Sequence, residues 1–84
     1  MLDDRQWCYL RNRYDLTARE QQIARLICQG LRTVAIAERL CIRPGTVKTH
    51  IRNIYRKAKV RNRVTMLLRF MEETGESSAS RADT

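Results

Sequence analysis

Residues 44–59 hold the side chains whose types and spacing point most clearly to chemistry. Placed on a helix at about 100° per residue, they divide into two faces. One face groups the apolar residues Val47, Ile51, Ile54 and Ala58. The opposite face groups Thr49, Arg52, Asn53 and Arg56, with Lys48 on its flank. Arg and Lys donate hydrogen bonds to guanine edges and phosphates, whereas Asn and Thr reach adenine or the thymine methyl group. This free face is therefore suited to the major groove of DNA.

The distribution of charge favours the same partner. The chain of 84 residues has 17 Lys and Arg against nine Asp and Glu, which gives a formal net charge of +8. Residues 43–69 contain nine basic and no acidic side chains, whereas residues 1–42 contain seven basic and five acidic ones. A basic block of this length predicts a polyanionic partner, with nucleic acid favoured over a membrane surface. A solvated surface without a partner is the alternative.

Several other classes of function are excluded by composition. The longest apolar run, residues 34–37, is far shorter than the ~20 residues that span a bilayer. Charged residues 3–5 interrupt the start, so no secretory segment is expected. The three cysteines form no close pairs, which predicts a reduced cytoplasmic protein without a zinc site. His50 has no partnered Cys or Ser motif, so we expect no enzymatic activity and no cofactor.

The segment before residues 44–59 predicts two helices. A T-x-x-E capping box at 17–20 begins a helix over about residues 17–29, and Gly30 offers the left-handed residue that ends it. Thr33 is predicted to cap a second, short helix that ends near Cys41.

The following segment predicts two more helices, and the N terminus a short fifth one. Pro44 is suited to the first position of a third helix, which extends to about Lys59. Asn62 is predicted to cap a fourth helix that ends near Thr74. Large apolar residues at helical spacing within residues 3–14 predict a short extra helix that covers the domain. The expected fold class is therefore all-α: a compact four-helix domain with this extra N-terminal helix.

Six ordered segments of the chain carry a resemblance to a known family: LTARE (16–20), GL (30–31), IAERL (36–40), PGTVKTH (44–50), NIYRKAKV (53–60) and RNR (61–63). Together they resemble the LuxR-type, or LuxR/FixJ-like, helix-turn-helix family of bacterial transcription regulators. The resemblance implies that the third helix reads the major groove and that the fourth mediates dimerisation. The chain is expected to divide into an N-terminal arm or linker (1–15), the helix-turn-helix domain (16–74) and a tail (75–84) whose small, polar composition predicts disorder.

The resemblance also implies roles for individual residues. The base contacts expected from it are Lys48, Thr49 and Arg52, to which the helical face adds Asn53. The cations expected on the DNA backbone are Arg56, Arg61 and Arg63. Two hydroxyl groups near helix starts are expected to donate to phosphates, those of Thr33 and Thr46.

Two basic residues depart from the family pattern. Arg43 stands where the family usually has the Ser that caps the recognition helix. Losing that cap costs about 1 kcal/mol, and a cation is unfavourable near a helix N-terminus. Either the loss is tolerated or Arg43 holds a DNA phosphate, and we favour the second. Lys59 stands where the family tends to have a left-handed Gly, which predicts either a strained residue or a different helix end.

The fourth helix is expected to form the interface of a homodimer on DNA. Its inward face is assigned to the residues Val64, Leu67, Leu68 and Met71. Met66 and Phe70 then remain on a neighbouring arc, where they are predicted to form the dimer interface. The alternative is that both pack on residues 3–14.

The sequence thus predicts a cytoplasmic, sequence-specific domain that binds double-stranded DNA in a bacterial transcription regulator. The alternatives are region 4 of a sigma factor, which shares LT-x-RE, and a protein-interaction module that docks on RNA polymerase or an anti-regulator. The PGTVKTH and RNR segments fit the LuxR type better than a sigma factor. Either a stand-alone regulator or an excised output domain is consistent with the sequence.

Overall fold

The computed structural model describes residues 2–75, and in this range the chain forms five helices and no strands. In chain order they are α1 (Asp4–Tyr14), α2 (Ala18–Cys28), α3 (Thr33–Leu40), α4 (Pro44–Ala58) and α5 (Arg63–Thr74). The all-α class and the extra N-terminal helix are confirmed. The predicted tail lies outside the described residues except for Gly75, which ends α5 in the left-handed conformation.

Local capping explains where most of these helices begin. The Thr17 hydroxyl accepts from the Glu20 amide at 3.1 Å, and Glu20 Oε1 accepts from the Thr17 amide at 2.9 Å, which confirms the predicted capping box. Asn62 caps α5 by accepting from the Thr65 amide at 2.8 Å. Pro44 occupies the first position of α4, where its missing N–H leaves no donor unsatisfied.

The start of α3 differs from the prediction that Thr33 is its cap. Arg32 is the N-cap, in an extended conformation and without a side-chain cap, and Thr33 is already helical. The reason lies in the end of α2, where the amides of Gly30 and Leu31 bond back to Ile27 and Leu26. After this tight ending, Arg32 is the residue that lies between Leu31 and the first helical residue of α3, so it takes the N-cap position.

Buried apolar residues of the five helices form one hydrophobic core. α4 packs on α2 and α3, while α1 lies across α5 and α2. Phe70 of α5 meets α1 edge-on at Trp7, with ring centroids 5.7 Å apart, and also contacts Tyr14 at 5.6 Å. Aromatic pairs in this geometry contribute beyond their buried area. α1 is therefore part of the core rather than a loose arm.

The prediction that Met66 and Phe70 form a dimer interface is wrong, because both are fully buried in the core, where Phe70 packs on α1. Two of the residues assigned to the inward face instead point outward, Val64 with 60% and Leu68 with 56% of its surface exposed, whereas Leu67 is half-buried. A helical wheel shows two adjacent apolar arcs on α5, and the packing of α1 decides which of them is buried.

Lys59 follows α4 as its C-cap. Its φ of 59° is left-handed, so of the two predicted alternatives the strained residue is present.

No helix within residues 2–75 is long and apolar enough to cross a membrane.

Candidate nucleic-acid interface

The exposed face of α4 is determined by the residues that this helix buries. Val47, Ile54 and Ala58 are fully buried in the core. Their packing on α2 and α3 turns the opposite side of α4 to solvent. The residues on that side are the exposed Lys48, Thr49, Arg52 and Arg56 and the half-buried Asn53.

An open groove runs along α4 and the starts of α3 and α5, and we call it the basic groove. Its lining residues are Thr33, Lys48, Ile51, Arg52, Tyr55, Arg56, Val60, Arg61 and Arg63. Six of these are predicted DNA contacts: one threonine and all five cations. No acidic residue is among the described residues that line the groove. The fold thus gathers residues from three helices and a turn into one positively charged surface.

The other predicted contact residues lie outside the basic groove, at the N-terminal end and along the outer side of α4: Arg43, Thr46, Thr49 and Asn53. The Thr49 hydroxyl donates to the Gly45 carbonyl at 3.1 Å. Asn53 Oδ1 accepts from the Arg56 guanidinium at 3.5 Å. These local bonds hold both side chains against the helix.

Arg43 is the N-cap of α4 and makes no side-chain cap hydrogen bond. Its carbonyl accepts from the Thr46 and Val47 amides, which begin the helix. The first turn of α4 carries no acidic residue. The Arg43 side chain is exposed beside this positive helix end. Its predicted contact with a phosphate stays a prediction.

Arg63 has a structural contact that the sequence did not reveal. Its guanidinium donates to the Leu31 carbonyl at 3.0 Å and so joins the α2–α3 loop to the start of α5. Burial raises the pKa of the nearby Cys28 thiol to about 11, against the opposing effect of the Arg63 charge. Burial also raises the pKa of Tyr55, again opposed by Arg63. The guanidinium thus lies partly inside the protein, and only part of it faces the groove.

Lys57 also differs from the other cations of α4. Its Nζ donates to Glu20 Oε1 at 2.7 Å and to the Asp15 carbonyl at 2.9 Å. The sequence gives no signal for this pair, because the partners are 37 residues apart. Lys57 therefore fixes α4 on α2 instead of facing the exposed side of α4.

Glu20 is the buried partner in that contact, with 4% of its surface exposed. Burial alone would raise the pKa of its carboxyl group. Hydrogen bonds from Lys57 and the Thr17 amide, together with the charges of Lys57 and His50, bring the pKa below its ordinary value. Glu20 is accordingly charged at neutral pH, as its ion pair requires.

The described residues offer no group of three or more His, Cys, Asp or Glu side chains that could hold a metal ion. Cys8, Cys28 and Cys41 are free thiols.

Comparison with known proteins identifies the class to which this fold and surface belong. Residues 14–70 match the family described as bacterial regulatory proteins, luxR family. The match covers more than half of the chain, so the chain belongs to this family. Its members are DNA-binding transcription regulators rather than enzymes. Most of α1 precedes the matched residues.

Individual relatives come from several bacteria. The chain is 43% identical over 60 residues to the nitrate/nitrite response regulator protein NarP of Escherichia coli, covering 71% of this chain and 28% of that protein. It is 47% identical over 49 residues to NarL of the same species, covering 58% and 23%. It is 38% identical over 58 residues to the transcriptional regulatory protein DesR of Bacillus subtilis, covering 69% and 29%. The chain thus spans less than a third of the length of these relatives. No solved structure gives a significant match.

Proposed function

We propose that this domain binds double-stranded DNA sequence-specifically, with α4 as the recognition helix in the major groove. The observation that carries the proposal is the basic groove, in which five cations from α4, the α4–α5 turn and the start of α5 meet along one side of the exposed helical face. A major groove about 12 Å wide accommodates one α-helix. The outer side of α4, with Lys48 and Arg52 at the edge of the basic groove, then faces base edges, while the remaining groove cations face phosphates.

Base recognition is assigned to four polar residues of α4, the exposed Lys48, Thr49 and Arg52 and the half-buried Asn53. Arg52 suits a guanine, whose O6 and N7 accept two parallel hydrogen bonds from a guanidinium. Thr49 already donates its hydroxyl hydrogen to Gly45. It therefore presents its methyl group and oxygen lone pairs, which suit a thymine methyl or a base amino group.

Backbone binding is assigned to the surrounding donors: Thr33, Arg43, Thr46, Arg56, Arg61 and Arg63. Their contacts supply affinity and fix the orientation of α4 without reading sequence. Each phosphate neutralised releases counterions, so affinity should fall steeply as salt increases.

Dimerisation is assigned to the outer face of α5. This face carries an apolar stripe at helical spacing: Val64, Leu67, Leu68 and Met71. Within residues 2–75 nothing packs over Val64 and Leu68, which are more than half exposed. A stripe of this size is too small for a stable free dimer, so two copies should pair when DNA brings them together. A two-fold pair requires inverted half-sites about 10 base pairs apart.

Selection of bound duplexes from a random DNA pool tests this function. The expected result is an enriched inverted repeat whose half-sites are separated by about one helical turn. Recovery of unselected sequences with no enriched motif would contradict sequence-specific recognition. An enriched direct repeat would still support base recognition by α4, but it would contradict the two-fold dimer.

DNA binding places the proposed site of action in the cytoplasm. The free cysteines are consistent with a reducing compartment.

A further inference from the structure

Lys59 lies at the end of α4 in a conformation that favours another residue type. Its φ is 59° and its ψ is 46°, in the left-handed region where only glycine is free of strain. Three non-glycine residues among those described have positive φ, and Lys59 is the basic one. Its side chain is exposed. The chain thus holds a cation at this position although glycine would fit the backbone better.

A second groove lies on the other side of the α4–α5 turn, and we call it the turn groove. Lys59, Arg61 and Arg69 line it, together with one acid, Glu72. No ion pair joins Lys59 or Arg61 to an acidic side chain in the described part of the chain. Three cations against one carboxylate leave this groove with an excess of positive charge.

Arg61 lines both the turn groove and the basic groove. The positive surface is therefore continuous from the exposed face of α4, around the end of the helix, to the first turns of α5. A continuous positive surface suits one extended polyanion better than two separate ligands.

The length of α4 gives the geometric reason for a contact at this point. Its 15 residues extend for about 22 Å, which is nearly twice the ~12 Å width of the major groove. When the N-terminal half of a helix this long lies across the groove, its other half emerges beside a strand of the DNA backbone. Lys59 is the first residue after that emerging end.

We infer that Lys59, with Arg61, binds backbone phosphates of the DNA beyond the end of the recognition helix. This inference rests on the proposed function and extends the DNA-binding surface to a residue outside it. The contact is to phosphate alone, so it adds affinity equally on every sequence. The strain at Lys59 is then the cost of keeping a cation where it reaches the DNA.

The test compares variants that fit the left-handed backbone. Lys59→Gly and Lys59→Asn remove the charge, and both residues tolerate positive φ, so both variants should fold. Lys59→Arg keeps the charge. Arg5→Ala removes a cation from the exposed side of α1, outside both grooves, and serves as the matched control. Fluorescence anisotropy measures affinity across a salt series for the duplex selected from the random pool and for a scrambled duplex.

Both neutral variants should bind each duplex about 3- to 10-fold more weakly at low salt, with the slope of log K against log salt reduced by about 0.9. Lys59→Arg and Arg5→Ala should bind like the wild type. The melting temperature of Lys59→Gly should equal or exceed that of the wild type, so lost affinity cannot be attributed to unfolding.

Wild-type affinity and slope in both neutral variants would overturn the inference while leaving the proposed function intact. A loss on the selected duplex alone would also overturn it, because a phosphate contact does not distinguish sequences. Failure of the wild type to bind either duplex would overturn the proposed function itself.

Discussion

Lys57 and Glu20 join α4 to α2 through a short ion pair, in which Lys57 Nζ lies 2.7 Å from Glu20 Oε1. The carboxylate also completes the capping box of α2 by accepting from the Thr17 amide. One buried acid thus begins α2 and orients the helix that carries the exposed basic face. The pair thus helps to hold α4 on α2, together with the buried apolar residues of α4.

Breaking this pair should destabilise the domain. Lys57→Met leaves the buried Glu20 carboxylate without its cation and should lower the free energy of unfolding by up to about 3 kcal/mol. Lys48→Met makes the same chemical change at an exposed site of α4 and should leave stability nearly unaltered. Urea denaturation measures both. Equal stability of the two variants would show that the pair does not fix α4.

The lowered pKa of Glu20 gives the pair a defined pH dependence. Because the folded pKa lies below the unfolded one, the stabilisation is present above the unfolded value of about 4.3 and disappears as pH falls through the folded value. Glu20→Gln lacks this titration. The stability difference between wild type and Glu20→Gln should therefore shrink as pH is lowered through the acid range. A difference that stays constant with pH would contradict the assignment.

Alanine substitutions of Arg61 and Arg63 should differ in their effect on stability, although both remove a cation from the basic groove. Arg61 is exposed, so Arg61→Ala should weaken binding to all sequences alike and leave unfolding unchanged. Arg63→Ala also removes the bond to the Leu31 carbonyl and should cost about 1–3 kcal/mol of stability. Thermal melting measures the stability of each variant, and fluorescence anisotropy measures its affinity for DNA on the same samples. Unaltered stability in Arg63→Ala would show that the contact with the α2–α3 loop is dispensable.

Substitutions on the two apolar arcs of α5 should affect different properties: those on the exposed arc should affect cooperative DNA binding, and those on the buried arc should affect stability. Val64→Asp changes an exposed residue outside both grooves and should abolish cooperative occupancy of the inverted repeat, with single half-site binding and stability preserved. Phe70→Ala removes a buried ring that packs on Trp7 and Tyr14 and should cost about 3–5 kcal/mol. Undiminished cooperativity in Val64→Asp would exclude the outer face of α5 from the dimer.

The helices were predictable because their signals are local. The capping box at residues 17–20, Pro44 and Asn62 each define a helix start within a few residues of sequence. The burial of Phe70 was not predictable in this way, because it depends on α1, which is distant in sequence. The Lys57–Glu20 pair was missed for the same reason.

The exposed face of α4 followed from its apolar stripe, since Val47 and Ile54 had to be buried. The basic groove required the fold, because Thr33 and Arg61 reach it from other segments. Sequence periodicity shows which side of a helix is free, but only packing shows what lies beside it.

Chemical protection of the bound duplex tests the central claim most directly. Dimethyl sulfate methylates guanine N7 in the major groove and adenine N3 in the minor groove, so it distinguishes the two grooves on one DNA. With α4 in the major groove, guanine N7 should be protected in each half-site. Arg52→Ala should lose that protection at one guanine per half-site and bind about 1–3 kcal/mol more weakly. Protection of adenine N3 with guanine N7 left reactive would contradict the account.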